Sequence, residues 1–558
     1  MTPPGRGTSP ALREAGRALG NAAARVRDAL VAALPGPRPR WAVLELTGRY
    51  PERRPPRRLL SLEALASGRR ETSLAELAET VDALCRSPSL EGVVLRVHEL
   101  SVDLAAAYAL RRLVARLRGA GKRTVAVAPA LDMAGYLVVS AAHEVVVPES
   151  AELWVHGSAL GATFVADALG RAGIRFEKLA IREYKNAGDE LALPAMSEAQ
   201  RRQYEAVLDG VERYYLGAVG AGRGRPPDEV RRWIEEGVTS AGRALELGMV
   251  DRVAYEDEVV GAGYVPAERA AALAPSRPRP PGGRVAVVSL EGTIVTGRSR
   301  RSPVPLPIFG GTMAGSETLV RALRAAARDP HTEAVVLHVD SGGGSALASD
   351  LIWREVRRIA ERMPLVAVMG RLAASGGYYV LAAATRVVAS PATLTGSIGV
   401  VAGKLVLEEF NERHGLNPEV LRRGRFATLM RTSRGWDDDE RGLMERYIAE
   451  VYDRFVSRVA AGRRLSRERV DEIGRGRIWT GLDALEVGLV DELGDVRHAI
   501  ALAKELAGLH EDADVWDVHA PARLVLPAGE GPEEALASVA PLLAERALLV
   551  PDVSLRLR

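Results

Sequence analysis

One cysteine, Cys85, is present in 558 residues, so the chain can form no internal disulfide and no thiolate-held metal cluster. A single thiol fits a reducing compartment. No run of 18 apolar residues occurs, which argues against a transmembrane helix. The N-terminus also lacks the apolar core of a signal peptide. Charge of one sign is not in marked excess. A net charge of +3 is small for this length, which argues against a dedicated nucleic-acid binder although the pI is basic. No cofactor or metal motif stands out, and none is expected.

What remains is the composition of a globular protein, about half apolar and ordinarily charged. The length calls for two domains or more. Near the start, residues 11–34 place Leu12, Ala15, Leu19, Ala22, Ala23, Val26 and Leu30 at helical spacing on one face, with Arg13, Arg17, Arg25 and Arg27 elsewhere. A basic amphipathic helix of this kind suits an anionic membrane surface. It equally suits packing within an oligomer.

The chain contains its own copy. "LEGVVLRVHELS" (90–101) resembles "TEAVVLHVDSGG" (332–343), "MAGYLVVSAAHEVVV" (133–147) resembles "SGGYYVLAAATRVVA" (375–389), and "ALELGMVDRV" (244–253) resembles "ALEVGLVDEL" (484–493). The matches keep their order at an offset of roughly 240 residues, the signature of a duplication. "APSRPRPPGG" (274–283) reads as the linker, since its prolines continue neither a helix nor a central strand. The expected organisation is an N-terminal segment 1–40, a first repeat 41–273, the linker 274–283, a second repeat 284–510 and an extension 511–558. The extension has apolar stretches at 522–526 and 536–550 and no motif. It is expected to pack on the second half or to mediate assembly.

In the second half, strands are expected at 284–292, 334–340 and 365–370. Helices are expected at 315–328 and 345–362, the latter with Ala348, Leu351, Ile352, Val356 and Ile359 on one face. Strand and helix alternate, so the fold class is α/β with parallel strands covered by helices. Glycines at strand ends, where backbone amides meet a helix start, form natural anion or oxyanion sites.

Ser375 lies among small residues in "AASGGYY" (373–379). A serine nucleophile needs a proton acceptor within reach. None of the nine histidines carries an evident carboxylate partner, and His338 falls inside an expected strand. A lysine offers an alternative. Lys185, in "YKNA" (184–187), stands just beyond a strand-like run. Its counterpart in the second half is Arg425, which stays protonated and cannot act as a base. Conversely, Ser375 has Met133 as its counterpart, and the glycine turn at Gly343 and Gly344 falls near Ser101 and Val102. One half keeps a base, the other a nucleophile and a glycine turn.

With these stretches, together with "DSGGGSALAS" (340–349) and "TGSIGV" (395–400), the chain resembles the signal peptide peptidase A (protease IV) family in its long, duplicated form, from about residue 41 to about 510. The resemblance implies a duplicated Clp protease/crotonase-like fold of repeated ββα units. It implies a serine peptidase that degrades cleaved signal peptides and other apolar peptides through an acyl-enzyme. Ser375 is then the nucleophile and Lys185 the base. Gly343 and Gly376 supply the oxyanion hole, and Ser397 is an accessory hydroxyl orienting the amine. A lysine that works near neutrality must titrate about three units below its ordinary 10.4, which burial can supply. Substrate would pair with strand edges near 341–346 and 396–402. A homotetramer is implied. Localisation is expected to be cytoplasmic, with peripheral contact to the inner membrane through residues 11–34.

The sequence departs from the family at Gly342, where proline is usual. The change adds backbone freedom beside Gly343. Two other functions remain open at the level of sequence. A crotonase-like acyl-CoA enzyme would use the same amide donors without the Ser–Lys pair. A non-catalytic membrane scaffold would need neither.

Overall fold

The computed structural model describes residues 10–33, 38–53, 72–261, 263–278, 280–301, 312–518 and 548–549. The apolar stretch 522–526 and the rest of 536–550 lie outside the described residues, as does part of the linker. Two compact units are present. The first comprises 1–157, 215–285 and 504–516; the second comprises 158–214, 286–503 and 517–558. Residues 158–214 are therefore part of the first repeat in sequence and of the second unit in space.

The first unit holds a six-stranded sheet. Its neighbours run Arg252–Val253, Glu144–Val147, Arg123–Val127, Gly92–Leu100, Trp41–Gly48 and Val265–Pro266, and every adjacent pair is parallel. The middle strand reads as a continuous apolar run, with Val93, Val94 and Leu95 fully buried, as a parallel sheet covered on both faces requires.

The second unit repeats the plan. Leu365–Ala374 lies between Thr332–Ser341 on one side and Arg386–Ala389 and Leu394–Gly396 on the other, all parallel to it. Helix Ser316–Arg328 buries Leu319, Ala322, Leu323 and Ala326 at i, i+3, i+4 and i+7. Helix Ala346–Ala360 buries Ala348, Ile352, Val356 and Ile359. Leu351 departs from the face expected of it. It is 45% exposed, beside exposed Leu347, because it lies at the edge of the apolar arc and no element among the described residues covers that edge.

The duplication extends to single hydrogen bonds. The Tyr136 hydroxyl donates to the Met249 carbonyl at 2.8 Å, and Tyr378 does the same to Leu489 at 2.8 Å. Asp251 accepts from the Val145 amide and Asp491 from the Val387 amide, each at 2.7 Å. Arg223 and Arg463 pair with these two aspartates. The expected α/β fold with parallel sheets and two repeats is the one observed.

A second sheet of the second unit is mixed. It runs Arg300–Arg301, Thr312–Gly315, Thr293–Val295, Gly344–Ser345, Leu548–Leu549, Val401–Val406 and Arg175–Ala180. Its last pair is antiparallel, from Val401 opposite Ala180 to Val406 opposite Arg175. This pairing ties a segment of the first repeat to the second.

At the other end of the chain, helix Pro10–Ala33 turns its polar side to the first unit. Asp28 accepts from the Ser276 hydroxyl and amide, and Arg27 donates to the carbonyls of Ala272 and Ala274. Leu19, Val26 and Leu30 are left 71, 60 and 65% exposed.

Candidate active site

Strands Leu365–Ala374 and Leu394–Gly396 end together, with Ala374 opposite Gly396. The next residue of each is a serine with positive φ: Ser375 at 55° and Ser397 at 49°. L-residues rarely hold this conformation, which costs about 1–3 kcal/mol and persists only where the surroundings impose it. Here the Ser375 amide donates to the Gly396 carbonyl at 2.8 Å and the Ser397 amide to the Arg477 carbonyl at 2.7 Å. Ser375 then starts the helix Gly376–Leu381. Both hydroxyls turn toward Lys185.

The Lys185 amine donates to Ser375 Oγ at 2.8 Å, to Ser397 Oγ at 2.9 Å and to the Ser397 carbonyl at 3.0 Å. Ser375 is 0% exposed, and Lys185 and Ser397 are each 1% exposed. Three neutral oxygens thus surround an amine taken out of water. All three residues lie in the second unit. Arg425, the repeat counterpart of Lys185, points instead into solvent and pairs with Asp439.

Several residues that the sequence reading passed over hold the lysine in place. Lys178, on the strand Arg175–Ala180, donates to the Lys185 carbonyl at 2.9 Å and pairs with Asp189. Asn186 donates to Asp189 at 2.8 Å and accepts from Gln203 at 3.3 Å, while the Gln203 carbonyl oxygen accepts from the Ile478 amide at 2.9 Å. The Asn186-x-x-Asp189 turn pattern was the available signal. Two glycines admit the lysine backbone and stem. A Cβ on Gly476, at φ 86°, would fall 2.4 Å from the Lys185 nitrogen, and one on Gly399 would fall 3.1 Å from its Cδ.

The structure also brings the two candidate oxyanion glycines together. A Cβ on Gly376 would lie 3.0 Å from Gly343 Cα and 3.1 Å from the Gly344 nitrogen, so only glycine allows this approach. The Gly343 amide is engaged, donating to Ser341 Oγ at 3.1 Å, and that hydroxyl donates to the Gly292 carbonyl at 2.6 Å. His338 is buried within Thr332–Ser341, in the strand position expected. Among the described residues no helix is long and apolar enough to cross a membrane.

Comparison with known proteins gives a consistent set of likenesses. The family profile described as Peptidase family S49 matches twice, over residues 116–263 and 357–510. The chain is 31% identical over 454 residues to "Serine protease SPPA, chloroplastic" of Arabidopsis thaliana, covering 78% of this chain and 66% of the plant protein. It is 29% identical over 462 residues to "Protease 4" of Salmonella typhi, covering 79% of this chain and 73% of that one. A putative protease of Synechocystis, 33% identical over 214 residues, matches only 38% of the chain but 77% of its own length. Among solved structures, a ClpP1 variant from Listeria monocytogenes aligns with 38% of the chain at 15% identity and a TM-score of 0.25, too low for a shared fold to follow from it.

Proposed function

The chain belongs to peptidase family S49, and on that premise we propose that it is a serine endopeptidase with a Ser375–Lys185 dyad, degrading cleaved signal peptides and other apolar peptides. The observation that carries this reading is the 2.8 Å contact between the buried Lys185 amine and Ser375 Oγ. The named proteases among its relatives support the reaction class.

Burial disfavours the ammonium form of an amine, and a neutral Lys185 can accept a proton. It takes the Ser375 hydroxyl proton as Oγ attacks a peptide carbonyl. The Gly376 and Gly343 amides receive the developing oxyanion, the latter exchanging its bond to Ser341 Oγ for one to the substrate. Losing one such donor typically costs about 3 kcal/mol in the barrier. The C–N bond breaks as the leaving amine takes the proton from Lys185. Water then attacks the acyl-enzyme, giving its proton to Lys185, and the acyl C–Oγ bond breaks as Ser375 Oγ takes that proton back, releasing the acid. Ser397, through its hydroxyl and carbonyl, holds the amine in line for both steps.

The outward Leu19, Val26 and Leu30 of helix Pro10–Ala33, with Arg13 and Arg25 on the same helix, fit peripheral contact with an anionic membrane surface. On this reading the protein is cytoplasmic and peripheral to the inner membrane, and it assembles as a homotetramer. Co-sedimentation with vesicles containing anionic lipid should fall when Leu19, Val26 and Leu30 are changed together to Ser. Light scattering should give about four times the 59.8 kDa of one chain.

The deciding experiment is labelling with a fluorescent fluorophosphonate from pH 6 to 10. Wild type should label increasingly as the pH rises, half-maximally below the value for free lysine, about 10.4. Ser375→Ala should not label, and Lys185→Ala should label at background. Full labelling of Lys185→Ala would remove the dyad from the account, and no labelling of folded wild type at any pH would remove the peptidase.

A further inference from the structure

One short run of the second unit touches both the base and its accessory hydroxyl. Strand Ile478–Thr480 pairs antiparallel with Leu394–Gly396, and residues 474–477 lead into it past the loop that carries Lys185. The Arg477 carbonyl accepts from the Ser397 amide at 2.7 Å, the Gly476 amide donates to the Ile398 carbonyl at 2.8 Å, and the Arg475 carbonyl accepts from the Tyr184 amide at 3.2 Å. We propose that Arg477 is a positioning residue for the Ser375–Lys185 pair: its guanidinium holds Tyr184 and so fixes the backbone of Lys185, while its own carbonyl fixes Ser397. This rests on the Ser–Lys peptidase reading and adds what keeps the base in line.

The hold on Tyr184 has two parts. The Arg477 guanidinium carbon stands 4.5 Å from the centre of the Tyr184 ring, and Nη2 donates to the Tyr184 hydroxyl at 3.0 Å. The same guanidinium stands 5.2 Å from the centre of the Trp479 ring, and the Trp479 indole N–H donates to the Ile473 carbonyl at 2.9 Å. A planar fork can lie on a ring and donate in its own plane at once, which a lysine ammonium cannot do. Arg475 also reaches this loop, donating to Glu183 at 3.0 Å, but both of those side chains are 40% exposed or more. An ion pair so open to water contributes little. The Arg477–Tyr184 contact is the stronger constraint, and Tyr184 is the residue directly before the base.

The duplication supplies an internal control. The offset that aligns "ALELGMVDRV" with "ALEVGLVDEL" sets Gly237 against Arg477, and the offset that sets Arg425 against Lys185 sets Gly424 against Tyr184. Both members of the pair are therefore glycine in the other copy, just as Ser375 is Met133 and Lys185 is Arg425. Ties that serve the fold are kept in both copies: the hydroxyl bonds of Tyr136 and Tyr378, and the ion pairs of Arg223 with Asp251 and of Arg463 with Asp491. The Arg477–Tyr184 tie goes with the chemistry and not with the fold.

The test is the rate of fluorophosphonate labelling of the full-length chain against pH, with denaturant midpoints to show that each variant is folded. Arg477→Met keeps an apolar stem and loses the guanidinium. Its labelling at pH 8 should fall about 10- to 100-fold, the cost of a reacting group displaced by a fraction of an ångström to an ångström. The pH of half-maximal labelling should rise toward that of free lysine, because a loosened amine meets water and water favours the ammonium. Arg477→Lys should recover part of the loss, and Tyr184→Phe, which keeps the ring, should lose only severalfold. With an apolar peptide ester, Arg477→Met should lower kcat and leave KM unchanged.

Arg477 acts through Tyr184, so Arg477→Met combined with Tyr184→Leu should label no more slowly than Tyr184→Leu alone. Losses that multiply in the double variant would overturn the proposal. So would wild-type labelling by folded Arg477→Met, or a lower rate with an unmoved pH profile, which marks a packing defect. If Arg477→Met does not fold, Tyr184→Phe decides, and an unchanged rate and profile there would overturn the proposal. No labelling of folded wild type is a separate outcome, which would remove the peptidase reading itself and the positioning role with it.

Discussion

Lys185 Nζ meets Ser375 Oγ at 2.8 Å across 190 residues of chain. One partner follows a strand of the first repeat and the other follows a strand of the second, yet both lie in the same compact unit. The antiparallel pairing of Arg175–Ala180 with Val401–Val406 makes this possible.

The positive φ of Ser375 gives a prediction in which function and stability separate. Ser375→Ala and Ser375→Gly should both abolish fluorophosphonate labelling. The Gly variant should be more stable than the Ala variant by about 1 kcal/mol, because only glycine holds φ 55° without strain. Denaturant unfolding of the two variants measures the difference. Equal stability would mean that the site does not impose the strain its backbone angles suggest.

Ser397→Ala removes one of the oxygens around the Lys185 amine and leaves the Ser397 carbonyl in place. The labelling rate at pH 8 should fall by about tenfold, equivalent to about 1.4 kcal/mol in the barrier. The pH profile should also shift, a readout that a packing defect alone would not move. Ser397→Thr, which keeps the hydroxyl, should recover part of the loss.

Gly476→Ala places a methyl group 2.4 Å from the Lys185 nitrogen at a backbone φ of 86°. Steric overlap and strain act together, so the variant should lose labelling while keeping Ser375 and Lys185. The expected loss of stability is about 2 kcal/mol. Normal labelling would show that the lysine loop adjusts without cost.

The five lysines of the chain are Lys122, Lys178, Lys185, Lys404 and Lys504. Four are buried, and the Lys178 side chain is only 11% exposed and paired with Asp189. Lys122 donates to the carbonyls of Ser87 and Leu90, and Lys504 donates to that of Glu511. An amine-reactive ester should therefore modify the native protein at its terminal amine alone. After unfolding it should add up to six labels, one for each of the five lysines and one for the terminus. Intact-mass spectrometry counts them, and rapid labelling of native lysines would contradict the packing described.

Glu440 supplies a pH-linked prediction. Burial pushes its carboxyl up, but hydrogen bonds from Arg434 at 2.7 and 2.8 Å and from the Asp437 amide outweigh this and hold it below the ordinary value. A carboxyl lowered in the folded state binds fewer protons there than in the unfolded state. Its stabilisation is therefore full above the ordinary carboxylate range and is lost as the pH falls through the folded value. Glu440→Gln should lower stability at pH 7 and narrow the gap to wild type as the pH approaches 3. Denaturant midpoints at several pH values read this directly, and a gap that widened in acid would reverse the sign.

The sequence by itself determined the duplication, the strand and helix alternation and the division of chemically useful residues between the halves. These are local or periodic signals: apolar spacing sets each element, glycines mark the turns, and the offset of about 240 residues exposes Met133 against Ser375 and Arg425 against Lys185. Helix Ser316–Arg328 falls within a residue of its expected start because its apolar positions recur at helical spacing. The assignment of Leu351 to the buried face failed for a complementary reason. Periodicity gives an arc, and only the neighbouring elements decide where that arc is covered.

Tertiary structure alone decided which distant edges pair. Nothing in the spacing of residues 175–180 names 401–406 as their partner, and nothing in 548–549 names Gly344–Ser345 and Val401. Backbone pairing is nearly indifferent to side-chain identity, so partner and register come from packing across the whole sheet. The positive φ at Ser375 and Ser397 has the same origin, since those residues hold it only where two strands end side by side. The sequence supplied a serine and a lysine; the pairing of strands far apart in the chain put 2.8 Å between them.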